Sequence, residues 1–273
     1  MKRSLLLVLV ALVLLFGLAL VGCGGDDAAT TDDGATTDDA AAASFSTIKP
    51  GVLLVGSDCD YPPFIELDAA GNPQGFEYDM MQAIGKELGL TIEYLSPQNF
   101  DTLIPQIVGG GKMDVAVSSF TITPERQQEV DFSIPYFVDG VNQAITIPPG
   151  SAITSREGFE GKRVGAQSGT TGFMWAEENL PGAEIVGFTT ITDAFNAMMA
   201  GKVEGCVNDL PAAEGLIAKS FTDVKVLESV PTAEEYGIVV SKDNPGLTAA
   251  LNKAIQTLID NGTMAKITAD WIK

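Results

Sequence analysis

The stretch Lys112-Met113-Asp114-Val115-Ala116-Val117-Ser118-Ser119-Phe120-Thr121-Ile122-Thr123-Pro124-Glu125-Arg126 passes directly from strand to helix. Val115 to Val117 is the short apolar run that a buried strand presents. Thr123 before Pro124 marks a helix start: the hydroxyl caps free N–H groups, and proline lacks an N–H that the first turn cannot use. Strands alternating with helices indicate α/β architecture with mainly parallel sheet, and the flanking sequence repeats the pattern. Upstream, Val52 to Gly56 reads as a buried strand, followed by a loop containing Pro62-Pro63. Met80, Met81, Ile84 and Leu88 give Glu77 to Leu88 helical spacing, ended by Gly89. Thr91 to Leu95 is a strand, and Leu103, Ile104, Ile107 and Val108 form a short helix stopped by Gly109-Gly110-Gly111.

After Val141 the alternation begins again. Strands are expected at 144–147, 163–166, 184–188, 205–208 and 236–240, and helices at 170–179, 191–200 and 210–218. A long C-terminal helix carries Leu247, Leu251, Ile255, Leu258 and Ile259 on its apolar face. Two successive sets predict two lobes. Ligands of such folds sit at the carboxyl ends of strands and between domains.

The first residues belong to neither set. Lys2 and Arg3 precede an apolar run from Leu5 to Val21, which ends at Leu20-Val21-Gly22-Cys23. A basic start, an apolar stretch and a small residue before the break predict a secretory signal over 1–22. A bilayer span asks for roughly 20 apolar residues, slightly more than this run offers. The segment 23–44 is built almost wholly from Gly, Asp, Ala and Thr, with six aspartates. It cannot bury enough surface to offset its chain entropy, and its like charges extend it, so a disordered tether is expected.

The formal charge of the chain is −20. Setting aside Lys2, Arg3 and the six tether aspartates leaves −16 for residues 45–273. So acidic a body does not suit nucleic acid or anionic lipid. The chain has no histidine, which removes Ser-His-Asp and Cys-His catalysis and the main ligand of zinc sites. No metal or cofactor is expected. Beyond Cys23 the only cysteines are Cys59 and Cys206, either a disulfide or two buried thiols.

Six stretches resemble, in order, the polar amino-acid family of bacterial extracellular solute-binding proteins. They are Asp58-Cys59-Asp60-Tyr61-Pro62-Pro63-Phe64; Gly75-Phe76-Glu77-Tyr78-Asp79-Met80, with Tyr78 where an aliphatic residue is more usual; and the opening stretch extended through Val130-Asp131-Phe132-Ser133 to Pro135-Tyr136. Then come Gly161-Lys162-Arg163-Val164-Gly165 with Ser168-Gly169-Thr170-Thr171, Asn208-Asp209, and Tyr236 to Lys242, with the C-terminal helix ending in Asn261-Gly262-Thr263. Leu-Val-Gly-Cys resembles the lipobox of bacterial lipoproteins, which implies lipidation of Cys23.

The resemblance implies a two-lobed periplasmic-binding-protein fold of type II, with two hinge strands between the lobes. Residues 45–137 plus 237–273 would form lobe 1, and 142–235 lobe 2. It implies a monomeric, lipid-anchored, extracytoplasmic protein, on the periplasmic or cell-surface side, that delivers a free amino acid to an ABC-transporter permease.

A zwitterion leaves water only for complementary charge and full hydrogen bonding. By resemblance Arg126 takes the carboxylate, whose two oxygens match the guanidinium fork, and Asp209 takes the ammonium from the other lobe. The structural alternatives are a surface arginine paired with Glu125 or Glu129, and an aspartate capping the helix that begins at Pro211. Ser119 and Thr121 contribute backbone groups with hydroxyl help. Thr170 and Thr171 open a helix whose free N–H groups suit an anion, with capping the alternative role for Thr170. Tyr61 and Phe100 sandwich the ligand's aliphatic part. Asp58, Asp60 and Glu66 lie on the first loop, Gln167 and Asn208 border the second-lobe motifs, and whichever set faces the distal pocket decides the ligand's side chain. Carboxylates there would select a basic side chain, amides an uncharged polar one. An enzyme on the same scaffold, such as a periplasmic dehydratase, would need a positioned acid or base, and a carboxylate such as Asp209 or Glu77 would have to serve. A sensor module of a signalling receptor is the other alternative; such modules usually precede a transmembrane segment.

Overall fold

The computed structural model describes residues 44–138 and 140–272. The predicted signal, Cys23 and all but the last residue of the tether lie outside the described residues. Strand β1 (Val52–Gly56) is followed by a small antiparallel sheet of β2 (Asp60–Tyr61), β3 (Ile65–Leu67) and β4 (Pro73–Gln74). Then come α1 (Phe76–Leu88), β5 (Thr91–Tyr94), α2 (Phe100–Gly109), β6 (Val115–Ala116), α3 (Pro124–Glu129) and β7 (Asp131–Phe132). The chain crosses to β8 (Gln143–Ile147) and continues through β9 (Arg163–Gln167), α4 (Thr171–Asn179), β10 (Glu184–Phe188), α5 (Ile191–Met199) and β11 (Gly205–Asp209). After α6 (Leu210–Lys219) and β12 (Lys225–Val230) it returns to β13 (Val239–Val240), α7 (Pro245–Asp260) and α8 (Thr263–Trp271).

The strands form two five-stranded sheets, ordered β5-β1-β6-β13-β7 and β10-β9-β11-β8-β12. The same path is walked twice: β1-α1-β5-α2-β6 in the first half and β9-α4-β10-α5-β11 in the second. These two cores are parallel. The remaining two strands of each sheet pair antiparallel, so mainly parallel sheet is corrected to an even mixture. The reason is the return of the chain between halves, which brings β8 and β13 in against the parallel direction. Beside these crossings the connecting segments pair with each other: Tyr136 N donates to Tyr236 O and Tyr236 N to Phe137 O, each at 2.9 Å. These are the two hinge strands of a two-lobed fold.

Each sheet is buried by the faces the sequence marks as apolar. Leu53 and Val55 of β1 lie with Met80, Met81 and Ile84 of α1 and Leu251, Ile255 and Leu258 of α7 in one core. Leu103, Ile107, Phe120 and Val239 form a separate cluster in the same half. Gly89 caps α1 in the left-handed conformation, φ 67°. The long C-terminal helix is α7, which stops at Asp260 just before the Asn261-Gly262-Thr263 stretch expected to end it. A further helix, α8, lies beyond the expected elements, and its Trp271 indole donates to Asp79 at 2.7 Å. The expected strand over 236–240 is reduced to β13, because Tyr236 makes only isolated bridges to Thr121 and Phe137. Cys59 and Cys206 are free, buried thiols.

Candidate functional site

The carboxyl ends of β1, β6, β9 and β11 converge on one crevice. The first half brings Asp58, Tyr61, Phe100, Ser119, Thr121 and Arg126 to its lining, and the second brings Gln167, Thr170, Thr171 and Asp209. Ser118, unselected from the sequence, also lines it. Free space at water size is about 10 Å³, room for about one solvent molecule. An amino acid therefore enters only as the halves part.

Arg126 is placed by the local signal described above. Thr123 caps α3, its hydroxyl accepting from Arg126 N at 3.2 Å. The guanidinium donates from Nη1 to Thr121 O at 2.7 Å and from Nη2 across the crevice to Gly169 O at 3.0 Å. Its centre lies 5.6 Å from the Phe100 ring and 5.4 Å from that of Phe120. The pairing with Glu125 or Glu129 is absent among the salt bridges of the described residues. Burial lowers the Arg126 pKa, and the carboxylates of Asp209 and Glu234 work against that shift. Three of the five N–H donors of a guanidinium thus remain for a ligand.

Asp209 does not cap α6; no cap hydrogen bond forms. One oxygen accepts from Gln143 Nε2 at 2.6 Å and the other from the Tyr236 hydroxyl. Burial, then the neighbouring Glu234 charge, pushes its pKa up to about 6 despite those donors. Asp58, at the far end, accepts from Ser118 Oγ at 2.6 Å and from Gln167 Nε2 at 2.9 Å. Burial raises its pKa most, while both donors pull it down. Its partners are therefore neutral.

Ser119 sits at φ 50°, a left-handed backbone that a side-chain-bearing residue adopts at a cost. Glu77, fully buried, holds it there by accepting from Ser119 N at 2.7 Å and Ser119 Oγ at 2.9 Å. Tyr136 donates to the same oxygen, and Glu77 Oε2 has no partner. Burial lifts the Glu77 pKa to about 7.

Thr170 is a capping residue, accepting from Phe173 N at 3.1 Å and donating to Gln167 O at 2.8 Å. Asn208 stands apart from the lining. It precedes Asp209 on β11, where successive side chains face opposite ways, and its amide atoms are buried without a hydrogen-bond partner. Sequence reasoning missed Glu234 and Gln143. Glu234 Oε2 accepts from Thr121 Oγ1 at 2.6 Å and Thr171 Oγ1 at 2.8 Å, and Oε1 accepts from Gln143 Nε2 at 2.8 Å. A glutamate two residues before Tyr236 belongs to no recognised stretch, so only the folded contacts reveal it.

Around the crevice, polar pairs join the halves. Asp60 accepts from Thr192 N at 3.1 Å and Thr192 Oγ1 at 2.7 Å, placing a carboxylate on the start of α5. Lys219 pairs with Glu66. Gly215 of α6 lies so near the Pro62 loop that a Cβ there would stand 2.5 Å from Pro62 O. Among the described residues no cluster of three or more metal-ligating side chains occurs, and no helix is long and apolar enough to cross a membrane.

Residues 53–273 match the model of the bacterial extracellular solute-binding proteins, family 3. An L-cystine-binding protein of Escherichia coli strain K12 is 28% identical over 221 residues, 81% of this chain and 82% of that protein. An ancestral arginine-binding protein, solved with arginine bound, superposes with a TM-score of 0.76 at 35% identity, over 82% of this chain and 99% of that one. An ancestral amino acid-binding protein, a precursor of cyclohexadienyl dehydratase, does so with a TM-score of 0.74 at 36% identity, over 82% and 96%.

Proposed function

This chain belongs to the bacterial extracellular solute-binding proteins of family 3, and from that premise we propose that it captures a free amino acid with a basic side chain for an ABC importer. The observation that carries the reading is the meeting of Arg126 and Asp209, from different halves, at one buried crevice. The guanidinium answers the ligand's carboxylate and the aspartate its ammonium, so only the closed form satisfies both ends. Asp58 at the far end favours a cationic side chain over an uncharged polar one, because its hydrogen-bond donors are neutral and leave its charge uncompensated. Tyr61 and Phe100 flank the aliphatic part, and the Thr121 and Thr171 region surrounds the α-carbon.

The proposal extends to the lobes, 45–137 with 237–273 and 142–235, and to a secretory signal over 1–22. Cys23 is lipid-modified and 23–44 tethers a monomeric body outside the cytoplasm. Binding occurs without turnover. Glu77, the buried carboxyl with a pKa of about 7, is spent on Ser119 and Tyr136 and does not line the crevice.

A thermal-shift screen with free amino acids, followed by calorimetry, tests the reading. A ligand at one hundred times its Kd stabilises the native state by about 2.7 kcal/mol, so arginine or lysine is expected to raise Tm by several degrees. Asp58→Asn should weaken that ligand about tenfold or more, since a charge-assisted bond becomes a neutral one. Stabilisation by a sugar or a metal ion alone would overturn the proposal.

A further inference from the structure

Glu234 lies on the return crossing between β12 and β13, directly after Ala233, which sits at φ 50°. That turn carries the carboxylate behind the crevice lining, where it meets the hydroxyls of Thr121 and Thr171 and shares the Gln143 amide with Asp209. A carboxylate accepts and does not donate. The hydrogen of Thr121 Oγ1 is therefore committed to Glu234 Oε2, and so is that of Thr171 Oγ1. Gln143, fully buried, spends one amide hydrogen on Asp209 and the other on Glu234. With their hydrogens turned away, the two threonine oxygens, 3.4 Å apart, offer the crevice only lone pairs. Asp209 beside them offers only lone pairs as well.

We propose that Glu234 is a positioning residue: by fixing the direction of the Thr121 and Thr171 hydroxyls it makes this end of the crevice an acceptor-only receptor for an ammonium group. The inference rests on the amino-acid reading and deepens it. Three N–H donors with no lone pair match such a wall. A hydroxyl in the same place supplies one donor and sets its own lone pairs against oxygens, an arrangement that leaves buried acceptors unmatched. Glu234 thus selects α-amino acids over their α-hydroxy counterparts without touching the ligand. Arg126, the cation in the crevice lining, is left to the carboxylate; burial lowers its pKa, and Asp209 and Glu234 oppose that shift.

The test compares L-arginine with its α-hydroxy analogue, argininic acid, by calorimetry on the wild type and on Glu234→Gln. Glutamine has the same shape but can donate from Nε2, which frees the threonine hydrogens to turn inward. The ratio of affinities, amino acid over hydroxy acid, is expected to fall about tenfold or more, a difference of about 1.4 kcal/mol, with the larger part of the fall on the amino-acid side. If both affinities drop by the same factor, Glu234 is merely structural and the proposal fails; an unchanged ratio also overturns it. Should Glu234→Gln not fold, Thr171→Val gives the same readout by deleting an oriented hydroxyl, and a ratio held at the wild-type value sinks the idea. A wild type that binds no free amino acid defeats the underlying reading instead, so the two failures are told apart.

Discussion

The two halves share one strand order and one βαβαβ path, yet they load the crevice differently. In the first half the end of β6 is strained: Ser119 stands in left-handed backbone over a buried carboxyl, and Arg126 is wedged beside two aromatic rings. In the second half the corresponding ends are relaxed. Thr170 caps a helix in extended backbone, and Asp209 closes a strand with its carboxylate held by Gln143 and Tyr236. The same scaffold thus serves a rigid cation in one half and a hydrogen-bonded anion in the other. The lesson is that topology fixes where a site forms, at the ends of the first and third parallel strands. What each half contributes is decided by a few side chains behind it.

The contrast predicts unequal sensitivity. Arg126→Ala removes the cation and leaves a buried ligand charge unpaired, a loss of about 3–5 kcal/mol, so calorimetry should find amino-acid affinity reduced by more than about a hundredfold with the fold retained. Asp209→Asn keeps an acceptor for the ammonium and loses the charge, and its expected effect is smaller, about ten- to a hundredfold. Affinity unchanged in either variant would remove that half from the site.

A milder break targets closure itself. In Gly215→Ala the new Cβ collides with Pro62 O only when the halves are together. The open form gains helix propensity, about 1 kcal/mol in favour of alanine. Ligand affinity should fall about three- to tenfold while ligand-free Tm holds or rises, and a fall in both would assign Gly215 to the ordinary core.

The smallest effect concerns pH. Glu77 and Asp209 have pKa values raised to about 7 and about 6, chiefly by burial. The surrounding charged and titratable groups are Asp58, Cys59, Tyr136 and Tyr94 around Glu77, and Glu234, Tyr61, Tyr236 and Arg126 around Asp209. The folded state then holds protons that the unfolded state has released, so the stability from these groups is full below the ordinary carboxylate range and is lost as pH rises through 6 and 7. Ligand-free Tm should be higher at about pH 5 than at about pH 8, by about 2–4 °C for each kcal/mol in a domain of this size. Glu77→Gln should flatten the slope measured by scanning calorimetry. An equally steep slope in that variant would exclude Glu77 as its source.

Much of this was legible in the sequence because it is written locally. Thr123-Pro124 announces a helix start, Gly89 a helix end, and the spacing of Met80, Met81 and Ile84 a buried face. Arg126 and Asp209 could be singled out because each lies in a recognisable stretch, and both reach the crevice. The mixed sheets were not legible, since strand direction depends on how a chain returns rather than on the residues of the strand. Nor was α8, a short helix that follows the helix stop at Asn261-Gly262. Glu234 stayed hidden for a different reason: its partners are 63, 91 and 113 residues away in the chain.

The carboxylate of Asp60 on the first turn of α5, with Lys219 on Glu66, has a further consequence. When the halves separate, water takes over every one of these partners, so each junction is worth only about 0.5–1.5 kcal/mol, and the exposed ion pair about 0–1. Such joints register the two halves like dowels without gluing them. The hold on the cargo then comes from the cargo's own charges, and the molecule can let go wherever those charges find a better host.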